Sequence, residues 1–264
     1  MYDQPMVSVL MTAYNRENYI AEAIQSVLES TFTNFELVIA DDGSKDRTVE
    51  IAKAYSAKDP RVKVFVNEKN LGDYPNRNKA ASLATGRYIK YLDSDDVMYA
   101  HCLQVMVSGM EKFPEAGYGL SAVGDAKKPY PVCITPHEAY VENFGGQGHF
   151  GRAPGSAIIK KEAFDKVGGF SGLRQVGDFE FWLKIGSTYP LVKLPVDLYW
   201  SRLHDGEKES NVNSDKEKHQ LRLDVIKKIF ATENVPLSDA EKQQIISSIK
   251  RGYLKNVVRK LAGV

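Results

Sequence analysis

Short apolar runs alternate with helix-patterned stretches through the first third of the chain, and this alternation constrains the fold more than any other feature. "VSVLMTA" (Val7–Ala13) reads as a buried strand and "ENYIAEAIQSVLEST" as the helix after it. "FELVIADD" and "DRTVEIAKAYSAK" repeat the pair, as do "VKVFVN" and "NRNKAASLATG", and "RYIKYLD" is a fourth strand. Runs this short, rich in Val and Ile and separated by helical patterns, predict an α/β fold with a mainly parallel sheet covered on both faces. In such sheets ligands bind beyond the carboxyl ends of the strands. The residues at those ends are Thr12–Asn15, Asp41–Ser44, Asn67–Asn70 and Asp93–Asp96, so polar and acidic side chains gather along one edge.

The last of these groups poses a physical problem. Asp93, Ser94, Asp95 and Asp96 follow the apolar end of "RYIKYLD" with no base among them. Carboxylates this close repel, so something must compensate them. One Asp can cap the next helix or close an Asx turn, and Asp96 stands where it could do so. A divalent cation would offset the repulsion of the others, and hard oxygen ligands suit Mg²⁺ or Mn²⁺.

Bulk properties exclude several classes. At 264 residues, with 43% hydrophobic and 26% charged, the chain reads as globular, one large domain or a domain with an appendage. A formal net charge of +1 gives no field that would recruit nucleic acid. Cys102 and Cys133 fit neither a zinc spacing nor a disulfide framework, which points to a reducing, cytoplasmic compartment. The first residues carry no signal-peptide pattern, and no apolar stretch approaches the roughly 20 residues that cross a bilayer.

The second half is less regular. "NFGGQGHFGRAPGS" (Asn143–Ser156) reads as a mobile glycine-rich loop, "SAIIK" as a strand, "KEAFDKVGGF" and "GDFEFWLKIGS" as helices, and "LVKLPVDLYW" as strand-like. After His204 a polar stretch leads to two helices, and Ser214 with Glu217 and Ser238 with Glu241 each match a capping box.

"TAYNRENYIAEAIQSVL", "VIADDGSKDRT", "NEKNLGDYPNRNKA" and "YLDSDD", in this order at successive strand ends, closely resemble glycosyltransferase family 2 over about Met6 to His204. The resemblance implies a Rossmann-like GT-A fold, a nucleotide-sugar donor, a divalent metal (Mn²⁺ or Mg²⁺) and inversion at the anomeric carbon. It implies a catalytic domain over 1–204, with a nucleotide-binding half to about 98 and an acceptor-binding half beyond it. Residues 205–264 then form a loop and a C-terminal helical extension.

Roles follow from the same resemblance. Thr12, Ala13 and Tyr14 match the loop against base and ribose, and Asp41 (or its neighbour Asp42) the acid that bonds them. The alternative for "DDGS" is a turn, with binding assigned to Asp41 and structure to Asp42. Arg77 and Asn78 match an Arg-Asn pair near the nucleotide. Asp93, Ser94 and Asp95 match the DxD, with Asp95 the metal ligand and Asp93 on ribose. Family members open a later helix with Glu-Asp. Here "VGDFEFWLKI" keeps Asp178 as the base but has Gly177 for the Glu, and Glu180 competes for the role. His204 matches a late metal-binding His, Ser156 falls in the acceptor region, and Trp182 is either a sugar platform or core. UDP is the expected nucleotide, with GDP and dTDP open, and the acceptor is a glycan, a lipid-linked sugar or a protein in cell-surface polysaccharide assembly.

Two other classes compete. A nucleotidyltransferase would need a glycine-rich loop where "TAYNREN" stands, and a non-catalytic carbohydrate-binding scaffold would not need so many aligned carboxylates. The tail, "IKRGYLKNVVRKLAGV", pairs an apolar stripe with Lys250, Arg251, Lys255, Arg259 and Lys260. It suits an anionic membrane surface, a second subunit or the protein's own body.

Overall fold

The computed structural model describes residues 4–121, 129–203, 212–232 and 234–261. The order is β1 (Val7–Ala13), α1 (Ile20–Leu28), β2 (Phe35–Asp41), α2 (Thr48–Ser56), β3 (Val62–Val66), α3 (Asp73–Leu83) and β4 (Tyr88–Asp93). Next come β5 (Val97–Met98), α4 (Cys102–Glu111), β6 (Tyr118–Ser121), β7 (Val132–Ile134), α5 (Pro136–Glu142), β8 (Ala157–Lys160) and α6 (Lys161–Lys166). The chain continues through α7 (Gly177–Gly186), β9 (Leu191–Leu194), β10 (Tyr199–Trp200), α8 (Val212–Phe230) and α9 (Asp239–Leu261).

The main sheet runs β3-β2-β1-β4-β8-β6-β9-β7. Its first four strands are parallel; β8 enters antiparallel between β4 and β6. Alternate side chains of a strand point to opposite faces, and both faces of β1 are covered. Val7, Val9 and Met11 join one core with Ile24 and Met106, while Leu10 joins the other with Tyr91 and Trp182. The register sets Thr12 against Asp93 and Ala13 against Asp41, so the polar strand ends lie abreast. A separate ribbon pairs Tyr199–Trp200 with Val97–Met98 and brings the chain before position 204 back beside the acidic cluster.

Several local expectations change. The glycine-rich segment is not a free loop: His149 and Phe150 are buried, Phe150 packs edge-on to Tyr140, and short helical turns fill Asn143–Gln147 and Pro154–Ser156. Strands β6 and β7 were not visible as patterns, because they are only 4 and 3 residues long. Ser238 and Glu241 form their capping box, with Ser238 N–H donating to Glu241 Oε2 at 2.8 Å. Helix α8 spans Val212–Phe230, and the side chain of Ser214, the other expected cap, lies outside the described residues. Val225, Ile226, Ile229 and Phe230 of α8 are buried in the core that holds Trp182, and Ile245, Ile246 and Ile249 of α9 lean on it. Each such fully buried side chain contributes about 1.5–3 kcal/mol. Part of the tail's apolar stripe therefore docks on the protein's own body, while the side chains of Lys255, Arg259 and Lys260 lie outside the described residues. No described helix is long and apolar enough to cross a membrane.

Candidate active site

A cavity of about 520 Å³ opens over the carboxyl ends of β1, β2 and β4. Thr12, Ala13 and Tyr14 form one wall, and Asp93, Ser94, Asp95 and Asp96 the floor. Arg77 reaches in from α3, and Ser201 and Arg202 from beyond β10.

The acidic cluster is answered by arginines from three other parts of the chain. Arg77 Nη2 lies 2.8 Å from Asp93 Oδ1, and its Nε bonds Asp73 at 2.8 Å. Burial alone would lower the Arg77 pKa, but Asp93 and Asp73 outweigh it and hold the guanidinium firmly charged. Arg16 Nε donates to Asp95 Oδ2 at 2.8 Å. Arg202 donates its backbone N–H to Asp96 Oδ1 at 3.0 Å and its Nε to the Asp95 carbonyl at 2.9 Å. Its guanidinium stacks on Trp200 and Tyr19 and pairs with Glu22. Even so, burial, reinforced by Asp93 and Asp95, pushes the Asp96 carboxyl up to about 6. Arg16 and Arg202 were missed in the sequence. Their signal was position alone, Arg16 directly after "TAYN" and Arg202 two residues before His204.

Adjacent residues exchange the places expected of them. Asp41 turns away from the cavity and closes its own turn, accepting from Gly43 N–H at 3.0 Å and Ser44 N–H at 2.9 Å. Gly43 sits at φ +79, a conformation that glycine adopts without strain. The acid at the cavity is Asp42, oriented by Asn67 Nδ2 and the N–H groups of Leu71 and Gly72 at 2.8–2.9 Å. Asn78 likewise faces away and clamps Phe170 through both its backbone N–H and C=O at 3.0 and 2.8 Å. Asn76 lines the cavity instead, donating to the Ala40 carbonyl at 2.9 Å.

Asp178 opens α7, outside the cavity lining, beside Tyr74, whose hydroxyl accepts from the Asp178 N–H at 3.2 Å. Burial raises its pKa against the opposing pull of Phe179 N–H and Arg222. Glu180, two residues on, points the other way, bonded to Ser171 Oγ and 3.6 Å from Lys228 Nζ in a separate cavity. Gly177 has a steric cause: a Cβ there would sit 2.6 Å from Tyr74 Cε2.

Ser156 lies in an adjoining cavity of about 370 Å³ with Arg152, Tyr199 and Ser121, and Ser201 borders both spaces. Among the described residues the buried Ser121 Oγ has no hydrogen-bond partner. Trp182 cannot serve as a sugar platform. It is fully buried against Tyr118 and Phe181, and its Nε1 donates to the Arg152 carbonyl at 2.7 Å. Beneath the floor Lys90 is wholly buried and donates to the carbonyls of Tyr91, at 2.6 Å, and Gly155, tying β4 to the turn that carries Ser156.

The fit to a metal is partial. Among the described residues no group of three or more His, Cys, Asp or Glu is placed to hold an ion, and His204 lies outside them. Asp95 offers a carboxylate at the cavity floor, with Asp93 close by, which suits Mg²⁺ or Mn²⁺ once a ligand such as a diphosphate supplies further oxygens.

Comparison with known proteins bears on the family and the fold. Over 110 residues the chain is 41% identical to the UDP-Glc:alpha-D-GlcNAc-diphosphoundecaprenol beta-1,3-glucosyltransferase WfgD of Escherichia coli, 42% of this chain but only 43% of that relative. The fold matches crystalline S. aureus TarS 1-349 in complex with UDP-GlcNAc at TM-score 0.69 and 23% identity, over 92% of this chain and 71% of that one. It also matches the mannosyltransferase PcManGT of Pyrobaculum calidifontis in complex with GDP-Man and Mn²⁺, at TM-score 0.65 and 17% identity, over 93% and 69% of the respective chains. These likenesses establish the GT-A fold. The sequence profile described as "Glycosyl transferase family 2" matches residues 8–174, well over half of the chain. The strand-end motifs, the sheet and that match lead to one conclusion: the chain belongs to glycosyltransferase family 2.

Proposed function

We propose that the protein transfers a single sugar, with inversion, from a nucleoside diphosphate sugar (UDP favoured) to an acceptor hydroxyl in cell-surface glycan assembly. The observation that carries this reading is the convergence of Asp42, Asp93, Asp95, Arg16 and Arg77 on one nucleotide-sized cavity. The UDP-Glc donor in the name of the E. coli relative supports UDP, and its lipid-linked sugar supports an acceptor of that kind. The nucleotide-binding half comprises residues to about 98, and the acceptor half extends to about 204.

In this proposal the residues take the following roles. Thr12–Tyr14 flank the base and ribose, with Asp42 as their hydrogen-bonding acid in place of Asp41. Arg77, fixed by Asp73 and Asp93, offers a rigid positive wall to the donor. When bound, a divalent cation held at Asp95 supplies charge neutralisation for the diphosphate leaving group. Asp178 takes the proton from the acceptor hydroxyl as that oxygen attacks the anomeric carbon from the face opposite the phosphate. A carboxylate whose pKa burial has raised is a better base for that step. The acceptor occupies the cavity of Ser156, Arg152 and Ser121.

A thermal-shift screen of UDP-, GDP- and dTDP-sugars with Mn²⁺ tests the reading, since a specific ligand raises Tm with the logarithm of its concentration. A UDP-sugar is expected to raise Tm, and the rise should disappear in Asp95→Ala. No shift with any nucleotide sugar overturns the assignment.

A further inference from the structure

The three arginines of the site are not equivalent. Arg77 is only 9% exposed and is held by two carboxylates. Arg202 is locked by its own N–H on Asp96, its Nε on the Asp95 carbonyl, its pair with Glu22 and two aromatic rings. Arg16 differs. Its side chain is 40% exposed, and among the described residues it engages one carboxylate and makes long contacts of 3.4 and 3.3 Å to the Tyr14 and Asn15 carbonyls.

Its backbone, in contrast, is fixed. Asn15 stands at φ +52, in the left-handed region that few non-glycine residues adopt. That turn is held from the loop after β2: Asn15 N–H donates to Ser44 Oγ at 2.9 Å, and Asn15 Oδ1 accepts from Lys45 N–H at 2.9 Å. Arg16 N–H itself donates to Thr48 Oγ1 at 2.7 Å. The result is a long cationic arm on an anchored pivot, reaching the carboxylate expected to receive the metal.

From this geometry we infer that Arg16 is the exchangeable counter-ion of Asp95, holding that carboxylate in the donor-free enzyme and passing to the donor's diphosphate when a divalent cation takes its place. The inference rests on the donor-site reading above and adds a residue to it. A guanidinium and a dication cannot both occupy Asp95 Oδ2, so the two compete. The guanidinium of this pair is 40% exposed, though Asp95 is not, so solvent screens the contact from the Arg16 side and leaves it open to displacement. The released guanidinium stays within the cavity, where a diphosphate offers it two-pronged hydrogen bonds. Arg77 and Arg202 cannot take this part without breaking buried contacts.

The test separates two affinities in wild type, Arg16→Gln and Arg16→Lys. Mn²⁺ alone is titrated by electron paramagnetic resonance, and UDP is then titrated calorimetrically with saturating Mn²⁺ and again with EDTA. Arg16→Gln should bind Mn²⁺ alone roughly two- to fivefold more tightly, the factor that such an ion pair represents. It should bind UDP about tenfold more weakly. Arg16→Lys should keep Mn²⁺ affinity near wild type and lose part of the UDP affinity. Opposite signs for the two ligands would not arise from a merely structural arginine. Unchanged or weaker Mn²⁺ binding by Arg16→Gln overturns the exchange, as does unchanged UDP affinity. Equal UDP binding by wild type in EDTA also overturns it, because Arg16 would then be a permanent substitute for the metal. Failure of wild type to bind UDP, GDP or dTDP with Mn²⁺ removes the donor-site reading itself, and this inference with it.

Discussion

Arg77 and Asp93, 16 positions apart in sequence, meet at 2.8 Å between Nη2 and Oδ1, and the guanidinium is almost entirely withdrawn from solvent. This pair joins helix α3 to the end of β4 at the cavity floor. It converts part of the aspartate cluster's self-repulsion into a cross-link between two elements. The charge balance of the cluster is thus supplied largely from within the chain.

Removing one member of that pair should cost stability. Among the described residues, Asp93→Ala leaves buried Arg77 with the exposed Asp73 as its one paired carboxylate. A loss of about 2 kcal/mol is expected, below the 3–5 kcal/mol of a fully buried pair because Asp93 is partly solvated. Urea unfolding of the ligand-free protein measures it, and a change under 0.5 kcal/mol would show that the pair is not stabilising.

Asp96 gives the fold a pH dependence with a defined sign. Its carboxyl pKa, pushed up to about 6 by burial and by Asp93 and Asp95, lies above the ordinary aspartate value of 3.8. A group shifted upward favours the folded state while protonated, so its contribution is present below the unfolded pKa and is lost as pH rises through the folded one. At 1.36 kcal/mol per unit the contribution at stake is about 3 kcal/mol. Asp96→Asn retains an oxygen for the Arg202 N–H and carries no charge. It should be more stable than wild type at pH 7.5, with the difference vanishing below about pH 4. Parallel stability curves across pH 4–7 would contradict this.

Gly177 should resist restoration of the family's Glu. Any Cβ there meets the Tyr74 ring at 2.6–3.0 Å, and Tyr74 is itself packed against Phe170. Gly177→Ala is expected to cost about 1–3 kcal/mol, the range for overpacking a tight core. Combining it with Tyr74→Ala should recover much of that loss as a coupling energy of about 1 kcal/mol or more. Strictly additive losses would mean that the ring is not the obstacle.

Asp178 and Glu180 should separate in kinetics. Asp178→Asn is expected to keep Mn²⁺–UDP binding while kcat falls by about 10²–10⁴, the range for loss of a general base. Glu180→Gln, which changes a carboxylate facing Ser171 and Lys228 away from the donor cavity, should affect stability more than turnover. Near wild-type turnover in Asp178→Asn would remove it from the role.

The outline of the fold was legible because its cause is local. Val/Ile-rich runs alternating with helical periods require a covered parallel sheet, and that topology alone places "TAYN", "DDGS" and "DSDD" side by side. Periodicity could not resolve β6 and β7, because runs of 4 and 3 residues carry too few positions. Packing also decided the glycine-rich segment, where His149 and Phe150 meet Glu142 and Tyr140 of α5, partners that its composition does not reveal.

Within the site the division is finer. The sequence by itself determined the edge where charge collects and the residue types gathered there, since strand order and polarity are written along the chain. Only the tertiary structure decided which neighbour lines the cavity: Asp42 rather than Asp41, Asn76 rather than Asn78. Residues two apart on a helix point about 200° apart, and a residue closing a turn spends its carboxylate on its own backbone. The pairing of Arg16, Arg77 and Arg202 with the aspartates was likewise unwritten, because it joins positions separated by 16 to 107 residues through side-chain reach, which no local pattern encodes.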